Sequence, residues 1–182
     1  GRGEHSVRDL AEEAAAVAGT PLSYVANASN IGLAAAQNQG IAGARGVGAT
    51  HILLIDQDTV LPASAVKELL ACERRLSAAG QGVAAVGPAW RDANSGKLSD
   101  AWRSRGLRIV RAADDYSIAP GAVAESDFVI ASGSLVPMKA LQTAGPMEEA
   151  LFIDLVDVEW CLRARHHGLS CFQAPAVVID HI

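Results

Sequence analysis

The order of apolar and polar positions predicts helices and a strand in the first part of the chain. Ser6 and Asp9 have the spacing of a capping box and Gly19 follows an alanine-rich stretch, so a helix is predicted between Ser6 and Gly19. A second helix is predicted over residues 33–45. The apolar run at residues 51–55 is too short for a helix, and its unbroken hydrophobicity is typical of a central parallel strand.

Strands outnumber helices in the rest of the chain. A helix is predicted from Pro62 to about residue 76, and a last helix over residues 156–166. Further strands are predicted at residues 22–26, 83–86, 107–110, 128–136 and 177–179, with a polar loop at 92–96. Because helices and strands alternate early and strands cluster later, we predict an α/β fold with a mixed sheet flanked by helices.

Composition narrows the class of protein. The 182 residues are 50% apolar and 19% charged, with a formal net charge of −5 at pH 7. A chain of this length buries roughly 70% of the surface it exposes when unfolded, so a single domain needs no disulfide or metal to fold. No apolar run approaches the ~18 residues that span a bilayer. The acidic balance disfavours a nucleic-acid partner, because binding to duplex phosphates requires a basic surface.

The cysteines stand at positions 72, 161 and 171. An odd number without Cys-x-x-Cys spacing indicates neither a disulfide framework nor a zinc site. We therefore expect buried thiols in a reducing compartment, the cytoplasm. The chain begins without Met and stops directly after an apolar run, so we also expect a fragment of a longer protein.

The most specific chemical feature is Asp56-Gln57-Asp58, directly after the apolar run. Side chains alternate along extended chain, so both carboxylates leave the sheet on one side if the extended conformation persists. Paired carboxylates supply the hard oxygen ligands that Mg²⁺ or Mn²⁺ prefers, and α/β folds bind ligands at the carboxyl ends of parallel strands. The alternative is that both aspartates only cap the turn before the Pro62 helix.

The same residues also fit the nucleophile motif of haloacid-dehalogenase-like phosphatases, with Asp56 as the nucleophile. Those enzymes carry the motif on their first strand and need a later lysine. Here two predicted helices precede the motif, and Lys67, the first of three lysines, falls in the next predicted helix. Context therefore disfavours the phosphatase without removing it.

A second acidic segment surrounds the predicted start of the last helix. Asp157 lies at that start, where the helix dipole favours an ionised carboxylate, so it is a candidate proton acceptor. Glu159 lies about 200° further around the helix and is expected to pair with Arg163 at i+4. The alternative for Asp157 is a charge that only stabilises the helix.

Four arginines crowd a short stretch of this acidic chain, at positions 103, 105, 108 and 111. The simpler interpretation is a solvated strand face. The functional alternative is a contact for a phosphate group of a bound ligand, which suits the planar guanidinium group.

Several motifs follow one another in a characteristic order. They are Asn30-Ile31-Gly32, Ala35-Ala36-Gln37-Asn38-Gln39-Gly40-Ile41, Leu54-Ile55-Asp56-Gln57-Asp58, Ala131-Ser132-Gly133-Ser134, the segment from Gly145 to Asp154, and Asp157-Val158-Glu159-Trp160. As a set, over roughly residues 25–182, they resemble family 2 glycosyltransferases, especially the rhamnosyltransferase branch. The resemblance implies the GT-A fold, a Rossmann-like α/β nucleotide-diphospho-sugar transferase fold, for one domain over residues 1–182.

The resemblance implies a metal-dependent, inverting hexosyltransferase. Its donor would be a nucleotide-diphosphate sugar, with dTDP-rhamnose as the candidate, and its acceptor a saccharide or lipid-linked saccharide in surface polysaccharide synthesis. Asp56 and Asp58 would hold Mg²⁺ or Mn²⁺, with His181 completing the metal shell, and Asp157 would be the general base. A non-catalytic nucleotide-sugar-binding module is the alternative, because fold likeness does not separate the two.

Further residues receive roles from the same resemblance. Asn30, Gly32 and Asn38 would lie near the nucleotide base and ribose, although Asn30 also suits a helix N-cap. The sugar or acceptor pocket would contain Ser132, Gly133, Ser134 and Trp160. The alternatives are a plain tight turn at residues 131–134, a packing role for Trp160 and an ordinary surface position for His181.

The resemblance also predicts what lies outside the chain. The family's opening strand, with its own acidic residue, would precede residue 1, and a C-terminal extension would follow. We therefore expect an N-terminally truncated fragment whose activity belongs to the longer protein. That protein is expected in the cytoplasm, with no transmembrane segment and with peripheral contact at the inner face of the membrane left open.

Overall fold

The computed structural model describes residues 6–92, 96–105, 108–111 and 117–181, without the side chains of Arg105 and His181. The chain divides into two units, Gly1–Ile31 and Gly32–Ile182. In the part described, no helix is long and apolar enough to cross a membrane. The three cysteines are free and buried, as predicted.

The first unit contains helix α1 (Val7–Ala18). The Ser6 hydroxyl accepts a hydrogen bond from the Asp9 N–H at 3.1 Å, and the Asp9 carboxylate accepts one from the Ser6 N–H at 3.0 Å. Gly19 ends the helix in the left-handed conformation, with φ of 63°. The predicted capping box and helix end are therefore confirmed.

The strand predicted at residues 22–26 is wrong. The segment forms no ladder in the structure, and its side chains are exposed, including Leu22, Tyr24 and Val25. A strand requires a hydrogen-bonded neighbour and a face to bury, and β propensity alone supplies neither.

The second unit contains the remaining elements. Its helices are α2 (Leu33–Gly46), α3 (Ala65–Ala78), α4 (Met138–Ala144) and α5 (Val156–His166), with a 3₁₀ turn at Glu149–Leu151. Its strands are β1 (His51–Leu53), β2 (Thr59–Val60), β3 (Val83–Arg91), β4 (Trp102–Arg105), β5 (Arg108–Arg111), β6 (Ala124–Ser126), β7 (Leu135–Pro137) and β8 (Ser170–His181).

The main sheet is mixed, as predicted. Its order is β1-β7-β3-β8-β2, and β6 also pairs with β8. The β3–β8 pair is parallel, and β7 runs antiparallel to both β1 and β3. Strands β4 and β5 form a separate antiparallel hairpin.

Each face of this sheet has its own apolar cluster. Along β7, Leu135 belongs to the cluster beneath α3, whereas the next residue, Val136, belongs to the cluster shared by α2, α4 and α5. Successive strand residues point to opposite faces, so helices cover the sheet on both sides.

Strand β1 differs from the prediction of a central parallel strand. It is three residues long, stands at one end of the described strand order and pairs antiparallel with β7, with Ile52 opposite Val136. Ile52 and Leu54 pack on one cluster and Leu53 on the other. An unbroken apolar run thus indicates that both faces of the sheet are covered at that strand, and it does not indicate the direction of the neighbouring strand.

Other bounds also shift. The helix predicted from Pro62 begins at Ala65, and the strands predicted at 83–86 and 177–179 are parts of the longer β3 and β8. Of the strand predicted at 128–136, only residues 135–136 lie in a strand, β7, and residues 128–134 form a loop that leads into it. The helix predicted at 156–166 is confirmed by α5. Leu107 and residues 93–95 of the predicted polar loop lie outside the described residues.

The β4–β5 hairpin is fastened by Asp127, whose side chain is fully buried. Its carboxylate accepts hydrogen bonds from the backbone N–H and hydroxyl of Ser104 and forms ion pairs with Arg103 and Arg165. Burial by itself raises the pKa of the Asp127 carboxyl, but the Ser104 hydrogen bonds and the two arginines outweigh burial and lower that pKa.

Two members of the arginine cluster form ion pairs within the fold. Arg103 also pairs with Glu125 at 2.5 Å, and Arg111 pairs with Asp100 at 2.8 Å, while Arg108 is exposed and the side chain of Arg105 lies outside the described part. Arg103 and Arg111 are therefore neutralised within the fold, which favours a structural role over a phosphate contact.

We expect Asp127→Asn to lower the free energy of unfolding by about 2 kcal/mol at neutral pH, because it leaves two guanidinium groups without their shared charge. The pKa of the Asp127 carboxyl in the folded state lies below its unfolded value of about 3.9. The stabilisation is therefore fully present above pH ~3.9 and is lost as the pH falls through the folded-state pKa. Urea unfolding from pH 7 to pH 3 should show the variant converging with the wild type.

Asp100→Asn is the matched control, because its partner Arg111 is exposed and such pairs contribute about 0–1 kcal/mol. Equal losses in the two variants would contradict the anchoring role of Asp127.

Candidate active site

A tight turn at residues 131–134 lies at the end of β1. The Ser134 N–H closes the turn on the Ala131 carbonyl at 2.9 Å, and Leu54 exchanges backbone hydrogen bonds with Gly133 and Ser134 at 2.8 and 3.0 Å. Gly133 has φ of 78°, and a Cβ there would lie 2.8 Å from Cγ of Pro88. Glycine is thus required by both the backbone and the packing.

Asp157 is held against this turn from the first turn of α5. Its Oδ2 accepts a hydrogen bond from the Ala131 N–H at 3.0 Å, and its Oδ1 accepts one from the Val158 N–H at 2.8 Å. The carboxylate is half-buried. Its orientation is therefore fixed, while each oxygen keeps a second lone pair with which to accept a proton.

Two adjoining cavities form a cleft beside the turn. The smaller, of about 160 Å³, is lined by Asp56, Ser132 and Asp157 among others. The larger, of about 450 Å³, is lined by Asp56, Gln57 and Asp58, and Leu33, Asp56 and Ile153 line both cavities. The structure thus brings the predicted metal-binding aspartates and the predicted base to one cleft.

The local conformation of the aspartate pair differs from the extended chain that was predicted. The Thr59 N–H donates to the Asp56 carbonyl at 3.2 Å, so Asp56 to Thr59 form a turn after β1. The Thr59 and Ser132 hydroxyls form a hydrogen bond, which ties this turn to the turn at 131–134. Both carboxylates reach the cleft because of the turn rather than because of strand alternation.

The aspartate pair also fits a divalent cation. Asp56 is half-buried and Asp58 exposed, and within the described residues neither carboxylate is neutralised by an ion pair. Two hard oxygen donors on an open cleft suit Mg²⁺ or Mn²⁺, which keeps several waters. No group of three or more His, Cys, Asp and Glu side chains is assembled for a metal within the described part. The backbone of His181 pairs with Thr59, and its side chain lies outside the description.

The structure gives Asn38 a role other than nucleotide binding. Its amide donates to the Met147 carbonyl at 3.0 Å and to the Glu149 carboxylate at 2.9 Å, and its oxygen accepts from the Met147 N–H at 2.9 Å. Every polar atom of the side chain is engaged, so the predicted contact with base or ribose is corrected to a clamp between α2 and residues 147–149.

Gly32 likewise has a protein partner. A Cβ there would lie 2.6 Å from Cδ2 of Phe152 and 2.8 Å from its carbonyl oxygen, and the Ala34 N–H donates to that oxygen at 3.2 Å. The close approach that glycine permits is made by Phe152, which replaces the predicted approach of a nucleotide. Asn30 lies in the first unit, and the N-cap of α2 is Gly32 rather than Asn30.

The predicted sugar or acceptor pocket is only partly right. Ser132 lines the cleft, whereas Ser134 is buried and donates to the Ile130 carbonyl. The space beside Gly133 is filled by the side chains of Pro88 and Leu61. Trp160 is 2% exposed, and its indole N–H donates to the Gly145 carbonyl at 2.9 Å. Trp160 is therefore a residue of the core cluster shared by α2, α4 and α5, in agreement with the alternative of a packing role.

The acidic neighbour of Asp157 behaves as predicted. Glu159 forms two hydrogen bonds with Arg163, at 2.7 and 2.8 Å, and Arg163 also donates to the Pro146 carbonyl at 2.8 Å. Glu159 therefore fastens the segment before the site and does not line the cleft.

Sequence reasoning missed the apolar part of the lining. Leu33 and Ile153 contact both cavities, and Ile153 is 60% exposed. Nothing in the hydrophobic pattern marks such a residue, because Ile153 ends the apolar run Ala150-Leu151-Phe152-Ile153, whose residues are ordinarily expected inside. Two neighbours, Phe152 and Leu155, have φ of 60° and 61°, a conformation that sequence does not reveal in non-glycine residues.

Comparison with known proteins shows which proteins the chain is similar to. No protein-family model matches the chain. The chain is 30% identical over 155 residues to dTDP-rhamnosyl transferase RfbF of Shigella flexneri, a match that covers 84% of this chain and 49% of that protein. The chain thus spans about half the length of this curated relative.

A solved structure has the same fold. The crystal structure of GalNAc-T7 with UDP, GalNAc and Mn²⁺ matches with a TM-score of 0.70 at 14% identity, over 100% of this chain and 36% of that one. The chain therefore has the GT-A glycosyltransferase fold. Its sequence similarity to a dTDP-rhamnosyl transferase fits the rhamnosyltransferase-like branch, as the resemblance in its motifs predicted.

We expect Asn38→Ala to lower the free energy of unfolding by about 1–3 kcal/mol, because it leaves the N–H and carbonyl of buried Met147 without their partner. Urea unfolding measures the loss. Arg45→Ala, an exposed change on the same helix, should stay within about 0.5 kcal/mol. Unchanged stability together with weakened nucleotide binding would instead return Asn38 to the nucleotide site.

Proposed function

We propose that the chain is the catalytic part of an inverting family 2 glycosyltransferase. It transfers a sugar, with rhamnose as the candidate, from a nucleotide-diphosphate donor to a hydroxyl of a saccharide or lipid-linked acceptor during surface polysaccharide synthesis. The observation that carries the proposal is the meeting of Asp56, Asp58 and Asp157 at one cleft. Similarity to a dTDP-rhamnosyl transferase supports the donor class.

Asp56 and Asp58 are the residues that would hold Mg²⁺ or Mn²⁺ in this proposal. Such a cation, when bound, neutralises the charge of the leaving diphosphate. The similar GT-A structure solved with UDP and Mn²⁺ supports this choice of ion. His181 follows Asp180, which pairs with Val60, and this backbone position is the basis for retaining His181 as a third ligand.

Asp157 accepts the proton of the acceptor hydroxyl. As that oxygen forms its bond to the anomeric carbon, the bond from this carbon to the diphosphate breaks, and attack from the opposite side inverts the configuration. The Ala131 N–H holds the carboxylate in place before the acceptor arrives, so no reorientation is needed during the step.

The phosphatase alternative has no support in the cleft. Among the described residues that line the two cavities there is no lysine, and Lys139 instead approaches Glu73 and Ser77 at a different cavity. The binding-module alternative shares the fold, and it is distinguished by whether Asp157 is needed for turnover.

The cellular setting belongs to the same proposal. The reaction would take place in the cytoplasm, with peripheral contact at the inner face of the membrane where a lipid-linked acceptor would be held.

We expect Asp58→Asn to remove the Mn²⁺-dependent part of dTDP binding without changing the melting temperature, because the change is nearly isosteric and the side chain is exposed. Calorimetric titration of the whole protein with dTDP, with and without Mn²⁺, measures it. Asp154→Asn, an exposed carboxylate that does not line the cavities, is the control. The same Mn²⁺ dependence in Asp58→Asn and wild type would contradict the metal assignment.

We expect Asp157→Asn to reduce the rate of sugar transfer by about 10²–10⁴-fold with donor affinity unchanged, because the amide can still accept from Ala131 but takes up no proton. Steady-state transfer rates and product stereochemistry check the prediction. Glu159→Gln should keep the rate and lose about 0.5 kcal/mol of stability from its pair with Arg163. A folded wild type without transfer activity would support the binding module.

A further inference from the structure

The small cavity of the cleft has an unusual lining for a sugar site. Its volume of about 160 Å³ corresponds to roughly five waters at ~30 Å³ each, which is room for one sugar ring. Asp56, Gln37, Ser132 and Asp157 supply polar groups, but Leu33 and Ile153 face the same space. A fully hydroxylated hexose carries free hydroxyls on C2, C3, C4 and C6, each of which needs a polar partner when it is buried, and Leu33 and Ile153 offer none.

Leu33 and Ile153 occupy the position where a donor would bend from one cavity into the other. Both line the large cavity with Asp56 and Asp58 and also the small cavity with Asp157. In the proposed function, the diphosphate lies with the aspartate pair and the anomeric carbon near Asp157. The sugar joined to that diphosphate therefore passes directly beside these two apolar side chains.

The exposed side chain of Ile153 is flanked by strained backbone conformations. It is 60% exposed, and it lies in a segment where Phe152 and Leu155 both have positive φ. The clamp from Ala34 to the Phe152 carbonyl holds this segment on α2. Strained residues that support an exposed apolar side chain at a cleft are characteristic of binding segments.

We infer that Leu33 and Ile153 bind the methyl group of a 6-deoxyhexose and so select a deoxysugar donor over the corresponding hexose. The inference rests on the proposed function and adds the sugar-selecting residues to it. A methyl group that packs against Ile153 loses no hydrogen bond when it leaves water, whereas a hydroxymethyl group there buries a hydroxyl that has no hydrogen-bond partner. Apolar pockets discriminate such pairs by about 10–100-fold.

The test compares two donors in the whole protein with Mn²⁺, dTDP-L-rhamnose and its 6-hydroxy counterpart dTDP-L-mannose. The wild type should prefer rhamnose by about 10–100-fold in kcat/KM, and competition calorimetry should show a preference in Kd in the same direction. Ile153→Thr places a hydroxyl at the same position and should reduce the preference at least about fivefold. Ile153→Val, which remains apolar, should keep the preference within about threefold.

Val60→Thr is the matched control, because Val60 is 61% exposed, β-branched and outside both cavities. Its donor preference should equal that of the wild type. The inference would be overturned, with the proposed function left standing, if the wild type used both donors equally. The same would follow if a folded Ile153→Thr variant kept the donor preference of the wild type. A folded wild type that neither binds nor uses either donor would overturn both.

Discussion

The geometry of the site depends on the turn at residues 131–134. This turn exchanges backbone hydrogen bonds with Leu54 at the end of β1, and the Ser132 hydroxyl bonds to that of Thr59 in the turn at residues 56–59. It also fixes Asp157 through the Ala131 N–H. The turn contains Gly133, whose positive φ and close approach to Pro88 leave no space for a larger residue. The Asp157 carboxylate is thus positioned by backbone N–H groups, whereas the turn that carries Asp56 and Asp58 is held through side-chain hydroxyls.

A second constraint holds the opposite wall of the cleft. Asn38 clamps Met147 with both its amide nitrogen and oxygen, and the Ala34 N–H clamps Phe152. Phe152 itself and Leu155, three residues further on, have positive φ values, which non-glycine residues ordinarily avoid. The packing of α2 therefore stabilises a conformation that would otherwise relax, and Ile153 remains at the cleft.

The features that the sequence predicts well are local ones. The capping box of α1 joins residues three apart, the Glu159–Arg163 pair joins residues four apart, and the extent of α5 follows from its helix signals. The motifs also indicated which carboxylates meet at the cleft. The direction of β1 and the role of Asn38 could not be predicted, because Asn38 bonds to a residue 109 positions away and strand direction leaves no mark on an apolar run.

The parallel pairing of β3 and β8 has a consequence for synthesis of the chain. β3 is buried almost throughout, yet its partner begins at Ser170, opposite Val83. A ribosome that has made β3 must add about eighty more residues before that neighbour exists, which takes several seconds at ~5–20 residues per second. During that interval the apolar edge of β3 is open to other chains, so the nascent protein is most vulnerable to aggregation before β8 emerges.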